Sequence, residues 1–220
     1  MTFEDRYNIV VKTILVQGLP MTLKLIFASL FFAMLIGVVL GTVRSLKIPV
    51  VDQILGAYAL ICRGVPTIII LLFFYAYLTK GTQFWISVLS ISLVEGAYMM
   101  EVVKGGFLSV DKGQWEAAKS LSLPLMHTIT RIILPQVLLV TIPALMGQIV
   151  MLVKGTSVAA TIGCMDTLRR AQLLLPKYSY PMEIYAYVLV IFFIMCHFLT
   201  WLGKKLERTV VKRIMGERNV

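Results

Sequence analysis

Two carboxylates stand where charge is expensive. Glu95 and Glu101 interrupt the otherwise apolar stretch 82–103, and an ionisable side chain inside a membrane costs about 2.5–3.5 kcal/mol on insertion scales. Residues of this kind are retained because they are paired or because they work. Glu95 is placed to face a cavity and meet a cationic group on a solute; a helix–helix hydrogen bond or a pair with a basic neighbour is the other reading. Arg63, Glu101 and Lys104 lie nearer the ends of apolar runs. Long side chains there reach toward the interface, so these three are candidates for structural ion pairs or headgroup contacts. A second polar group, Lys154-Gly155-Thr156-Ser157, closes an apolar run. Freed backbone groups and two hydroxyls bind a polar solute where they line a water-filled cavity. The candidate solute pathway is therefore Glu95, Tyr98, Gly155, Thr156 and Ser157.

Other chemistry finds no support. The cysteines Cys62, Cys164 and Cys196 are far apart, and His127 and His197 are isolated, so neither a disulfide framework nor a metal site is indicated. No nucleophile–base set can be assembled, and catalytic residues are not expected. Lys154-Gly155-Thr156-Ser157 has the residues of a phosphate loop in the wrong order. A machine driven by ATP would have to bind it on another subunit.

The elements that position these residues follow from composition. Of 220 residues, 59% are apolar and only 15% charged, against roughly 45–50% and ~25% in soluble domains. The pattern predicts an all-α polytopic membrane protein with five spans at about 25–43, 53–79, 82–103, 132–153 and 184–203, each near the ~20 residues that cross a bilayer. Residues 1–24 form an N-terminal segment in which 5–17 read as an amphipathic surface helix, and no cleaved signal is expected. Residues 204–220 form a basic tail suited to anionic lipid. The segments 44–63, 104–131 and 204–218 hold thirteen of the 21 basic residues. The positive-inside rule then puts the N-terminus outside and the C-terminus in the cytoplasm. The net charge of +10 thus reads as orientation, and nucleic acid is not an expected partner.

The loop 104–131 is helical in pattern. Asp111 is a cap for a helix beginning Lys112-Gly113-Gln114-Trp115, and Ala117, Ala118 and Leu121 form a narrow apolar stripe. Pro124 interrupts before a second segment runs to Pro135. Such a projecting helix suits a groove on another protein, although a helix packed on its own bundle or lying on lipid has the same pattern.

Here the residues resemble a known family. Glu116-Ala117-Ala118, then Ser122, then Ile132-Ile133-Leu134-Pro135 is similar to the EAA loop of the membrane subunits of ATP-binding-cassette importers, with Ser122 where that loop has glycine. Arg63-Gly64-Val65-Pro66-Thr67, Ala97-Tyr98-Met99-Met100-Glu101 with Lys104-Gly105, Gly113-Gln114-Trp115-Glu116-Ala117-Ala118 and Leu152-Val153-Lys154-Gly155-Thr156-Ser157-Val158 resemble stretches of the polar amino-acid permeases. The resemblance extends over roughly residues 14–210.

It implies a type I importer fold with five spans, an outside N-terminus and a permease dimer in a bacterial inner membrane. By the same resemblance the chain binds no cofactor, ATP and Mg belong to a cytoplasmic ATPase dimer, and an extracytoplasmic binding protein delivers a polar amino acid. Glu116, Ala117, Ala118, Leu121, Ser122, Ile132, Leu134 and Pro135 would then couple the chain to the ATPase. Gly155 stands where the family has an Asp that is a plausible substrate ligand, which points to a heterodimer whose other permease supplies the carboxylate. The rival reading is an ion-gradient-driven carrier of a small polar solute, with Glu95 and Glu101 as proton carriers. Such carriers usually show inverted repeats, and none is visible here.

Overall fold

The computed structural model describes residues 8–178 and 180–216, apart from the side chains of 213–215. Every regular element among them is helical. Helix α1 spans Asn8–Ser45, α2 Pro49–Gly64, α3 Thr67–Tyr77, α4 Gln83–Leu108, α5 Lys112–Ser120, α6 Leu125–Ile162, α7 Thr167–Gln172 and α8 Pro181–Gly216. Four of them, α1, α4, α6 and α8, are long and apolar enough to cross a membrane. The fifth candidate is the pair α2 and α3, bent by 103°. The sequence explains that break. A residue before proline is driven to extended backbone, and Val65, ahead of Pro66, has φ −102° and ψ 133°.

Helix α1 is longer than the expected first span. It is one helix through residues that the sequence reading assigned to a separate surface segment, of which 5–7 lie outside the described residues. Val10 and Ile14 explain the continuation, since both are buried in a cluster with Ala171 of α7, Leu174 of the turn after it, and Ile184 and Val188 of α8. Two π-helical stretches, Lys12–Gly18 in α1 and Thr128–Ile133 in α6, each end two residues before a proline, Pro20 and Pro135. Proline has no N–H to donate and clashes with the carbonyl four residues back, and a locally wider helix relieves both.

Helix α4 is the central element, and α1 packs most closely against it. Ser29, Ala33, Gly37 and Gly41, every fourth residue of α1, are all buried. Lipid gives helices little hydrophobic reason to associate, so close approach of backbones at small residues is what joins them. Gly41 shows the constraint: a Cβ there would stand 2.7 Å from Val103 Cβ and 2.8 Å from the Met100 carbonyl oxygen. Ser92 on α4 donates to the Ser29 carbonyl at 3.2 Å.

One end of the bundle carries α5, the other α7. At the α7 end the Thr22 and Thr167 hydroxyls lie 2.7 Å apart, and the Thr167 N–H donates to Thr22 Oγ1 at 3.0 Å, tying α1 to the start of α7.

Candidate functional site

Three groups of residues have the makings of a site. The first projects from the α5 end. Asp111 caps α5 by accepting from the Gly113 N–H at 2.6 Å. Glu116, Ala117 and Leu121 are exposed, whereas Ala118 is 3% exposed. The two alanines of the stripe therefore face opposite ways: Ala117 outward, Ala118 toward its own chain, where α5 packs on the π-helical start of α6. Trp115, Leu121, Leu125 and Met126 add large exposed apolar surface beside Ala117.

Helix α5 ends in a Schellman turn. The Leu123 N–H donates to the Ala118 carbonyl at 3.1 Å and the Ser122 N–H to that of Lys119 at 3.0 Å. Ser122 sits at the left-handed position, with φ 52°. The turn thus has the geometry a glycine would supply, with a serine in place. Beyond it, Ile133 is completely buried with Val110 and Val137, while the predicted Ile132, Leu134 and Pro135 are half-buried. Ile133 anchors the loop. Spacing of apolar residues did not single it out because the π turn at Thr128–Ile133 shifts the helical register ahead of Pro135.

The second group lies halfway along α4. Glu95, thirteenth of 26 residues in that helix, is 8% exposed. Its Oε2 is buried without a hydrogen-bond partner. Facing it is Gly155, where a Cβ would lie 3.7 Å from Glu95 Oε1. Gly155 closes the α-helical part of α6, which continues as a 3₁₀ turn over Thr156–Ile162.

Glu95 and Gly155 are brought together; the other three candidates diverge. Thr156 is fully buried and donates to the Val153 carbonyl at 2.8 Å. Ser157 donates to the Lys154 carbonyl at 2.8 Å, and its side of the helix opens on a cavity of about 360 Å³ shared with Tyr185, Val188 and Phe192 of α8. Tyr98 turns toward α2, with the Arg63 guanidinium 5.3 Å from its ring centroid.

The third group is ionic and joins α1, α2 and α4. Arg44 is its hub: Nε donates to Asp52 Oδ1 at 2.8 Å and Nη1 donates to Glu101 Oε1. Lys104 Nζ donates to Asp52 at 3.0 Å, and Arg63 Nη1 stands 3.9 Å from Glu101. Arg63, Glu101 and Lys104 are the expected ion-pair candidates, and the structure adds Arg44 and Asp52 to them. The signal was a cation and an anion eight residues apart, flanking the short turn between two apolar runs.

Among the described residues no three His, Cys, Asp or Glu side chains converge as metal ligands do. The arrangement is one of binding and movement: a projecting helix, a buried carboxylate beside a side-chain-free position, and an ionic tie between helices.

Comparison with known proteins is specific. The family model described as "Binding-protein-dependent transport system inner membrane component" matches residues 33–212. Similar proteins include the L-cystine transport system permease protein TcyL of Bacillus subtilis, 30% identical over 88% of this chain and 86% of that one. The putative glutamine transport system permease protein GlnP of Rickettsia felis is 33% identical over 90% and 93%, and the arginine transport system permease protein ArtQ of Bacillus subtilis 30% over 88% and 91%. Among solved structures, an amino acid ABC transporter crystallised with histidines superposes with a TM-score of 0.77 at 28% identity, over 95% of this chain and all of that one. The MetNI methionine ABC transporter in an inward-facing conformation shares the fold, with a TM-score of 0.76 at 20% identity over 96% and 99%.

Proposed function

The chain belongs to the family of binding-protein-dependent transport system inner membrane components and is a permease subunit of an ATP-binding-cassette importer, from which premise we propose how its parts work. Hydrolysis of ATP resides on a separate subunit. The cargo is a polar amino acid, as the names of the cystine, glutamine and arginine permeases among its relatives support. Those relatives give no support to a carrier driven by an ion gradient.

The observation that carries the mechanism is the projecting helix α5. Its outward face of Glu116, Ala117 and Leu121 is the part that a cytoplasmic ATPase dimer, loaded with ATP and Mg, grips. Ala118 seats α5 on α6 within the chain, so a pull on the helix is passed to a membrane span. Differential binding of the two ATPase states is what shifts the bundle between its own two states. Ser122, Ile132, Leu134 and Pro135 hold the angle between α5 and α6.

In this reading the α5 end and the basic end of α8 lie in the cytoplasm, the N-terminus and α7 lie outside, and the chain sits in a bacterial inner membrane, in keeping with the excess of basic residues on the cytoplasmic segments. A second permease subunit, the same chain or a related one, completes the pathway, and an extracytoplasmic binding protein feeds it. Glu95 beside Gly155 is the part of the pathway that meets a cationic group of the cargo; Thr156, Ser157 and Tyr98, on the same two helices, face other surroundings and would serve the pathway only away from that pair. Arg63, Glu101 and Lys104 serve structure.

Reconstitution in proteoliposomes tests the reading. Uptake is expected to need the ATPase subunit, ATP and the binding protein, with no uptake from a proton gradient alone. Gradient-driven uptake without the ATPase would overturn it. Ala117→Trp, on the outward face, is expected to weaken ATPase capture about tenfold or more while leaving the permease folded; full substrate-stimulated hydrolysis in that variant would remove α5 from the coupling role.

A further inference from the structure

Helix α8 carries a basic groove that the transport mechanism leaves unused. The helix has 36 residues, about 54 Å at 1.5 Å per residue, while crossing ~30 Å of hydrocarbon takes about 20. A span of that length begun at Pro181 ends at Thr200, and the predicted span 184–203 ends two residues past Trp201, so Trp201 stands near the end of either. An open cavity of about 400 Å³ begins there, lined by Trp201, Lys204, Lys205, Arg208, Thr209 and Lys212. The four cations stand 3, 4, 7 and 11 residues beyond Trp201, which is one face of a helix. Lys205 Nζ lies 5.4 Å from the Trp201 ring centroid, a cation–π contact that holds the ammonium at the indole.

Two further observations say what fits. First, the groove has no carboxylate among its lining residues. Glu207 lines a different hollow, shared with Pro143, Met146 and Gly147 of α6, and on that side Gly203 packs on Met146. Second, the same face continues into the membrane as an exposed apolar strip of Ile194 and Phe198, with the Phe198 and Trp201 rings 6.1 Å apart. A strip for a hydrocarbon chain runs directly into a pocket of positive charge.

We propose that this groove binds an anionic phospholipid, its phosphodiester among Lys204, Lys205, Arg208 and Lys212 and an acyl chain along Phe198 and Ile194. Charge alone would suit any phosphate. The apolar strip and the boundary indole favour a lipid over a free anion or an acidic protein surface, and clusters of cations just beyond a span are known lipid readers. The bound lipid fixes the depth of α8.

Trp201 reports its own neighbour. The full chain is placed in nanodiscs of phosphatidylcholine containing either brominated phosphatidylglycerol or brominated phosphatidylcholine, and the Trp201 signal is isolated by subtracting the Trp201→Phe variant. Quenching is expected to half-saturate at about a fivefold lower mole fraction of the anionic lipid. That preference is expected to fall to less than about twofold in Lys205→Gln/Arg208→Gln/Lys212→Gln and to survive in Lys205→Arg/Lys212→Arg. Equal quenching by both lipids overturns the proposal. So does an unchanged preference in the triple variant; loss of ATPase capture alongside it marks the groove as a protein-docking face. Displacement by excess inorganic phosphate at matched ionic strength marks a free-anion site and overturns it as well.

Discussion

Glu95 and Glu101 stand six residues apart on one helix and have opposite surroundings. Glu101 sits at the α5 end, bonded to Arg44 and flanked by Arg63. Glu95, mid-helix, has a buried oxygen with no donor and a glycine where a side chain would be. A paired charge in low dielectric holds elements together, and removing one partner is costly because the other is left uncompensated. A charge kept without a partner does not stabilise the fold, so its retention asks for a different account: a partner that arrives. The difference separates the residues that hold the permease together from those that serve its cargo.

The strongest challenge to that division is Arg44→Gln. It takes the guanidinium from both Asp52 and Glu101, leaving them only Lys104 and the distant Arg63, and is expected to destabilise the bundle, lowering the thermal unfolding midpoint in nanodiscs by several degrees. Arg63→Gln, at 3.9 Å from Glu101 and 46% exposed, is expected to cost well under 1 kcal/mol. Equal effects from the two would refute Arg44 as the hub.

Asp166 sharpens the comparison from the opposite end. It is completely buried, its Oδ1 caps α7 by accepting from the Arg169 N–H at 2.7 Å, and its Oδ2 has no partner. Burial pushes its carboxyl up to about 6, against the pull of the Arg169 and Leu168 backbone amides and the Arg169 charge. The folded state therefore holds this proton more tightly than the unfolded one. Stability is greatest below about pH 4, falls as pH rises to about 6 and is flat above, a loss of about 2–3 kcal/mol. Asp166→Asn keeps the cap and is expected to abolish that slope, read by amide exchange over residues 163–178 between pH 4 and 7. An unchanged slope would assign it to another group.

Glu95→Gln is the matching test of the unpaired acid. Its expected effect on stability is near zero, while uptake of a cationic amino acid falls about tenfold, some 1.4 kcal/mol, and uptake of a neutral one changes little. Loss of folding in place of loss of uptake would move Glu95 to the structural class beside Glu101.

What was legible in the residues divides along the same lines. Helical class and the long apolar spans follow from composition and from charge-free runs, because the bilayer imposes both. The charge-poor run 53–79 reads as one span, whereas the chain breaks at Pro66 into α2 and α3, and the angle of 103° is a matter of how the two pack on α4. The Asp111 cap was visible as a local motif and forms as expected. Arg44 and Asp52 escaped notice since each is unremarkable at a span end, and only the turn between α1 and α2 brings them onto Glu101 and Lys104. The Glu95–Gly155 juxtaposition likewise depends on the register of α4 against α6, which no single-helix pattern records. The stripe of Ala117, Ala118 and Leu121 suits either a partner's groove or the chain's own bundle, and the structure divides it, with Ala118 inward, because the Schellman turn and the π stretch set the roll of α5 on α6.

The smallest effect concerns backbone where the others concern charge. The turn at the α7 end puts a glycine, Gly163, at φ 85°, whereas the turn after α5 puts Ser122 at φ 52°. Left-handed backbone costs a residue with a Cβ about 1 kcal/mol, and glycine escapes that cost at the price of greater freedom when unfolded. Ser122→Gly is therefore expected to stabilise by up to about 1 kcal/mol, with the Schellman bonds to Ala118 and Lys119 retained and ATPase capture by α5 unchanged. A thermal midpoint that rises while hydrolysis stays coupled identifies Ser122 as a tolerated cost of sequence. A midpoint that rises while coupling weakens identifies the serine's strain as part of how α5 is held ready to move, and would place this turn, with Glu95, among the features kept against stability.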